Sequence, residues 1–203
     1  MNAHREHQPY FVIAALVAAE LYKAMHVARQ ITLIASNARA LSQRAGHRAA
    51  GFRALTGFID ELANKTVKSS DHINALAIAT SRTAISTVNG ETSLARFNHA
   101  YRIAKDAPFL DSLNEATHAI RSQSETLRFD FQKNVWQLTN ALEELARELR
   151  SATVLAAMSR VEAIAAGKEF QQSLQVIADN VSEAADRIQA HVKHSQQMIS
   201  NLQ

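Results

Sequence analysis

Apolar and small residues recur along the first part of the chain at alternating intervals of four and three residues. The members of this seam are Val17, Leu21, Ala24, Ala28, Ile31, Ala35, Ala38, Ser42 and Ala45. The spacing places them on one face of an α-helix and is typical of helices that pack side by side in coiled coils and bundles. The pattern therefore predicts a long helix over about 9–45, which Gly46 ends.

The same rhythm predicts three further long helices. The second ends near residue 88, the third covers about 109–166 and the fourth follows Gly167. Asn89-Gly90 is a turn or break signal, so the segment after it is predicted to be a short connecting helix. Pro108 suits the first turn of the third helix. No segment alternates apolar and polar residues as a β-strand does.

Four such helices predict an all-α fold, a long antiparallel four-helix bundle that forms a single domain. Its expected parts are hairpin 1 at about 9–88, a connector at about 89–108 and hairpin 2 at about 109–203. Gly46 and Gly167 should then lie at one end of the bundle, and the turn at Pro108 at the other. The core is predicted to include Ile34, Leu62, Leu145 and Ile177.

Composition and charge exclude several classes of function. The 203 residues include no cysteine, which excludes disulfides and thiolate metal sites. The net charge of +3 comes from interleaved acidic and basic residues, so we expect no nucleic acid partner. The apolar stretch from Tyr10 to Ala19 is too short to span a bilayer. Arg5 before it and Val17-Ala18-Ala19 at its end leave a signal peptide open as an alternative to a buried helix.

The sequence contains none of the common catalytic motifs. It lacks a phosphate-binding loop, a nucleophile elbow and a dinucleotide fingerprint. Glu115 and His118 form one Glu-x-x-His pair, whereas a di-iron bundle needs two such pairs and further glutamates. We therefore predict no enzyme activity, no metal site and no cofactor. Trp136 is predicted to pack in the core or in an interface.

An internal repeat relates two segments of the chain. Ile31–Gly46 and Ala152–Gly167 align at an offset of 152 − 31 = 121 positions. The identical pairs are Thr32/Thr153, Ala35/Ala156, Arg39/Arg160, Ala45/Ala166 and Gly46/Gly167. In both copies a glycine ends a helix, and an amphipathic helix with a phenylalanine near its start follows.

The first copy carries a more specific pattern, ITLIASNARALSQRAGHRAAGFRALTGFIDELANKT, over residues 31–66. It resembles the tip of the cytoplasmic signalling hairpin of methyl-accepting chemotaxis receptors, in which RAG is followed five residues later by GF. The positions that match are Leu33, Ala35, Asn37, Ala38, Arg44, Ala45, Gly46, Gly51, Phe52, Ile59, Leu62, Ala63 and Thr66. In the second copy, VEAIAAG at 161–167 and VIADNV at 176–181 resemble pieces of the same family pattern.

The resemblance implies a soluble, cytoplasmic signalling or adaptor protein that binds a chemotaxis coupling protein or a histidine kinase through its tip. Family members pair two hairpins into a four-helix bundle, so one chain with two hairpins would mimic that dimer as a monomer, or form a homodimer. The implied partner-binding residues are Asn37, Leu41, Arg44, Gly46, His47, Gly51, Phe52, Glu162 and Gly167. Arg44 and Glu162 are further expected to form an ion pair or one shared surface.

The chain also departs from the family pattern. Leu41 and His47 stand where the family has glutamate, and no glutamate or glutamine pair has the small-residue surroundings of a methylation site. Two alternatives therefore stay open. The first is a structural or protein-interaction bundle without a chemotaxis role, in which the glycines only form turns and Phe52 only fills the core. The second is a periplasmic bundle that binds a small ligand.

Overall fold

The computed structural model describes residues 8–104 and 112–200. These residues form four α-helices and one short 3-10 helix, and no strand. The α-helices are α1 (Gln8–Arg44), α2 (Ala50–Ile103), α3 (Ser112–Ala165) and α4 (Lys168–Ser200), and the 3-10 helix, Gly46–Ala49, joins α1 to α2. The predicted all-α fold class is confirmed.

The four helices form a closed ring. α1 packs against α2 and α4, and α3 packs against the same two helices. Short connections at Gly46–Ala49 and Gly167 make successive helices antiparallel. This is the predicted long antiparallel four-helix bundle.

The seam of α1 faces the centre of this ring. Every member of the seam, from Val17 to Ala45, is buried. The central cluster also contains Leu145, and Leu62 is buried in a smaller cluster beside it, as predicted. Ile34 and Ile177 are half-buried and pack against the edges of the core. Each fully buried leucine or isoleucine stabilises the bundle by about 1.5–3 kcal/mol relative to an exposed one.

The helices differ in length. α2 and α3 each contain 54 residues, or about 80 Å, whereas α1 has 37 and α4 has 33, or about 50–55 Å. The last turn of α4, at Ser200, lies beside Thr139 of α3. The remainder of α3 and the matching part of α2 therefore continue as a pair, which we call the two-helix extension (88–104 and 113–134).

The predicted break at Asn89-Gly90 is wrong, because α2 continues through it to Ile103. The described part of the predicted connector is thus the end of α2. Gly90 lies against α3, where an added Cβ atom would be 2.8 Å from Ser124 Oγ. The glycine therefore allows a close approach of two helices and does not end one. The predicted turn at Pro108 lies outside the described residues.

Two further sequence predictions concern individual segments. Trp136 was predicted to pack in the core or in an interface, and its exposure of 65% excludes the core, so the interface stays a prediction. The apolar stretch near the N-terminus is part of α1, where Ala14 and Val17 are buried in the bundle. Among the described residues, no helix combines the length and the apolar character needed to cross a membrane.

Candidate functional site at the bundle tip

Two glycines in the left-handed region reverse the chain. Gly46 has a φ of +64° and follows α1, and Gly167 has a φ of +88° and follows α3. Only glycine adopts this conformation without a steric cost from Cβ, so both positions end their helices as the sequence predicted. After Gly46 the chain passes through the 3-10 helix, whereas α4 starts directly after Gly167.

Both reversals lie at the same end of the bundle, as predicted. One cluster of buried residues takes members from both sides of both turns, namely Ala38, Ala45, Ala49, Phe52, Ala163, Ala166 and Leu174. We call this end of the bundle the tip and these residues the tip cluster. The alanines allow the four helices to approach closely around Phe52 and Leu174.

The residues predicted to bind a partner differ in accessibility. Asn37, Arg44 and His47 are exposed. Leu41 is half-buried and packs against the tip cluster. Phe52 is fully buried at 0% exposure, so its assignment as a partner-binding residue is corrected: its side chain fills the core and offers no surface.

Glu162 and Gly51 connect the two hairpins. A Cβ atom at Gly51 would overlap the carboxylate of Glu162, which lies directly over the glycine. Gly51 is therefore a helical residue of α2 that leaves room for a side chain of α3, and it makes no turn of its own. The predicted ion pair between Arg44 and Glu162 is not formed within the described part of the chain.

The repeated arginines make equivalent contacts in the two hairpins. Arg39 lies 3.8 Å from Asp60 and joins α1 to α2, and Arg160 lies 2.8 Å from Asp179 and joins α3 to α4. These side chains are 31–54% exposed, so each pair adds about 0–1 kcal/mol to stability. Each pair thus links the two helices of its own hairpin behind the tip and contributes little to stability.

Arg53 is a tip residue that the sequence did not single out. Its guanidinium donates hydrogen bonds to the carbonyl oxygens of Ser42 at 3.2 Å and Gly46 at 3.3 Å. Ser42 lies in the last turn of α1 and Gly46 just beyond it, and a cation interacts favourably with carbonyl groups at a helix C-terminus. Because Arg53 lies on α2, its guanidinium meets these carbonyl groups only in the folded hairpin. No local sequence motif predicts the contact.

An exposed apolar stripe runs along α3 toward the tip. It consists of Val154, Met158, Val161 and Ile164, which are 50–65% exposed. A shallow groove of about 360 Å³ between α2 and α3, lined in part by Phe58 and Val154, lies beside it. In the described residues, no group of three or more histidine, aspartate or glutamate side chains could hold a metal ion.

Comparison of the chain with family models, with curated proteins and with solved structures finds no match. The resemblance of residues 31–66 to the chemoreceptor tip therefore stays a prediction from the sequence.

Proposed function

We propose that the chain is a cytoplasmic, chemoreceptor-like signalling or adaptor protein that binds a chemotaxis coupling protein or histidine kinase through its tip. The observation that carries the proposal is that the two glycine turns, at Gly46 and Gly167, lie together at one end of the bundle. Asn37, Arg44 and His47 are exposed there. The segment that resembles the chemoreceptor tip lies at the same end.

The charges at the tip favour a partner with an acidic surface. Arg44, Arg48 and Lys168 are exposed basic residues, and Glu169 is an exposed acid. The carboxylate of Glu162 lies against Gly51, which reduces its access to a partner. Charges at the rim of an interface mainly steer and orient association, while apolar contacts supply much of the affinity.

The test is a calorimetric titration of the full chain with a purified coupling protein. We expect wild-type protein to bind, and the double variant Arg44→Ala/Arg48→Ala to bind about tenfold more weakly, which corresponds to about 1.4 kcal/mol. Arg82→Ala is the matched control, because Arg82 is exposed on α2 far from the tip. Equal affinity of the tip variant and the control would show that the partner-binding surface does not lie at the tip. Absence of binding by the wild type would overturn the proposal.

The apolar stripe on α3 favours a second candidate, a protein-interaction bundle without a chemotaxis role. None of the four stripe residues is among the partner-binding residues that the resemblance implies, although Val161 and Ile164 lie in its matching segment 161–167. Contiguous exposed apolar surface commonly marks a protein interface. This candidate predicts that the coupling protein does not bind the chain. Substitutions in the stripe should instead weaken binding of the chain to a different protein partner. The titration above separates the two candidates.

A further inference from the structure

The outer face of α3, opposite the bundle core, carries large exposed apolar side chains at both of its ends. Toward the two-helix extension lie Phe129 and Trp136, which are 67% and 65% exposed. Toward the tip lies the apolar stripe. Large exposed aromatic and aliphatic groups that share one helix face are typical of interfaces and less common on monomer surfaces.

Four exposed charges separate these two apolar ends. Glu143 and Glu144 come first along the helix, and Arg147 and Arg150 follow. None of the four forms an ion pair within 4 Å inside the described ranges 8–104 and 112–200. From its N-terminal to its C-terminal end the face thus carries two aromatic residues with the exposed Lys133 between them, then two acids, two bases and the aliphatic stripe.

We infer that a second copy of this chain packs along the outer face of α3, with the two α3 helices antiparallel about a two-fold axis beside Arg147. Trp136 lies 147 − 136 = 11 positions before the axis and Met158 lies 158 − 147 = 11 positions after it, so each faces the other across the dimer. Glu144 and Arg150, each three positions from the axis, face one another in the same way. A closed two-fold interface requires such self-complementarity.

The arrangement of charges selects the antiparallel orientation. In a parallel pair Glu143 and Glu144 would face their own copies, and Arg150 would face Arg150, which costs energy at every contact. In the antiparallel pair Glu144 meets Arg150, and Glu143 meets the uncharged Ser151 (2 × 147 − 143 = 151). The two Arg147 side chains meet near the axis, within one helical turn of Glu143 and Glu144 of the other copy.

The size of the face limits the area that the dimer can bury. From Phe129 to Ile164 the face is 35 residues long, or roughly 53 Å at 1.5 Å per residue. A contact about 10 Å wide over that length covers on the order of 500 Å² on each copy, near the lower limit of specific interfaces. We therefore expect a reversible dimer whose population depends on concentration.

Sedimentation velocity of the full chain across a concentration series tests the inference by charge reversal. The wild type shifts from monomer to dimer, and the variants E143R/E144R and R147E/R150E each dimerise at least about tenfold more weakly, since like charges then meet. An equal mixture of the two variants recovers the dimer, as does the variant with all four reversals. E183R/D186R, which reverses two exposed acids on α4, is the matched control and leaves the dimer unchanged.

The absence of cysteine from the natural sequence allows a direct test of orientation. Arg147→Cys alone forms a disulfide dimer, because the two copies of this position meet at the axis. Trp136→Cys and Met158→Cys form a disulfide with each other in a mixture and little with themselves, because only the mixed pair can bring its Cα atoms within about 7 Å.

Three outcomes overturn the inference. They are a wild type that stays monomeric at every concentration, a dimer that charge reversal leaves intact, and a mixture of the two reversed variants that stays monomeric. All of these measurements use the chain by itself, so the inference does not depend on whether the tip binds a coupling protein.

Discussion

At the scale of single residues, Gly46 and Gly167 control both chain reversals. Their φ values of +64° and +88° cost an L-residue with a Cβ atom about 1–2 kcal/mol. Gly46→Ala and Gly167→Ala should each lower the free energy of unfolding by about that amount. Gly57 lies in the helical interior of α2 with open space at its Cβ position, so Gly57→Ala should raise it by about 0.5–1 kcal/mol. Chemical denaturation measures all three, and a loss at Gly57 equal to that at the turns would contradict this account.

Glu20 links α1 to α4 through a hydrogen bond with His191, and Lys23 of α1 holds the same carboxylate. Its carboxylate accepts a hydrogen bond from Lys23 Nζ at 2.6 Å and lies 2.7 Å from His191 Nδ1. The hydrogen bond from Lys23, and after it the one with His191, lowers the pKa of Glu20 below its ordinary value of 4.5. A carboxyl group whose pKa is lower in the folded state stabilises that state above its unfolded pKa, and this contribution is lost as pH falls through the folded value.

Glu20→Gln should therefore destabilise the protein at neutral pH, and its difference from the wild type should shrink as pH falls below 4.5. The free energy of unfolding of both proteins, measured across that range, provides the test. Glu61→Gln is the control, because the ion pair of Glu61 with Lys65 lies within α2 on an exposed face. A difference for Glu20→Gln that does not change with pH would show that the ionised carboxylate adds nothing.

At the scale of helices, the contact between Gly90 and Ser124 explains why α2 runs through a strong break signal. Ser124 Oγ is buried without a hydrogen-bond partner among the described residues, and a Cβ atom at position 90 would lie only 2.8 Å from it. Ser124→Ala should be neutral or stabilising, because it removes a buried, unpaired hydroxyl group. Gly90→Ala should raise the free energy of unfolding, through the better helix propensity of alanine, only in the Ser124→Ala background, where the hydroxyl is absent. A double-mutant cycle should thus give a coupling of about 1 kcal/mol, and strictly additive effects would refute the contact.

The helices that could be predicted from the sequence are those whose local pattern and packing agree. The α1 seam from Val17 to Ala45 correctly predicted a buried face, because side-by-side helices contact one another about every 3.5 residues and the seam has the same period. Asn89-Gly90 misled the prediction, since glycine favours both a break and a close approach of helices, and only the position of Ser124 decides between them. For Trp136 the sequence left both a core and an interface open, because an aromatic residue suits either, and its exposure of 65% excludes only the core.

At the scale of the whole molecule, the sequence predicted the ring of helices and the shared end of both glycine turns. It did not predict which tip side chains are accessible, because accessibility depends on the rotation of each helix about its axis. Phe52 is buried and Arg44 is exposed, although the resemblance to chemoreceptors selected both. The contacts of Glu162 with Gly51 and of Arg53 with Gly46 likewise join residues on different helices, so they have no local signature.

The unequal lengths of the helices give the molecule a gradient of local stability along its axis. Apart from Thr117 and Ser124, the side chains of 88–104 and 113–134 are exposed or half-buried, including those of Leu94, Phe97, Ile120 and Leu127. Backbone amides in segments with few buried apolar contacts exchange their hydrogens through local openings that cost less than global unfolding. Deuterium uptake should therefore be fastest in the two-helix extension and slowest around Ile59, Leu138 and Ile188, all of which have 0% exposure. The bundle would then open from the extension inward while the distant tip keeps its shape.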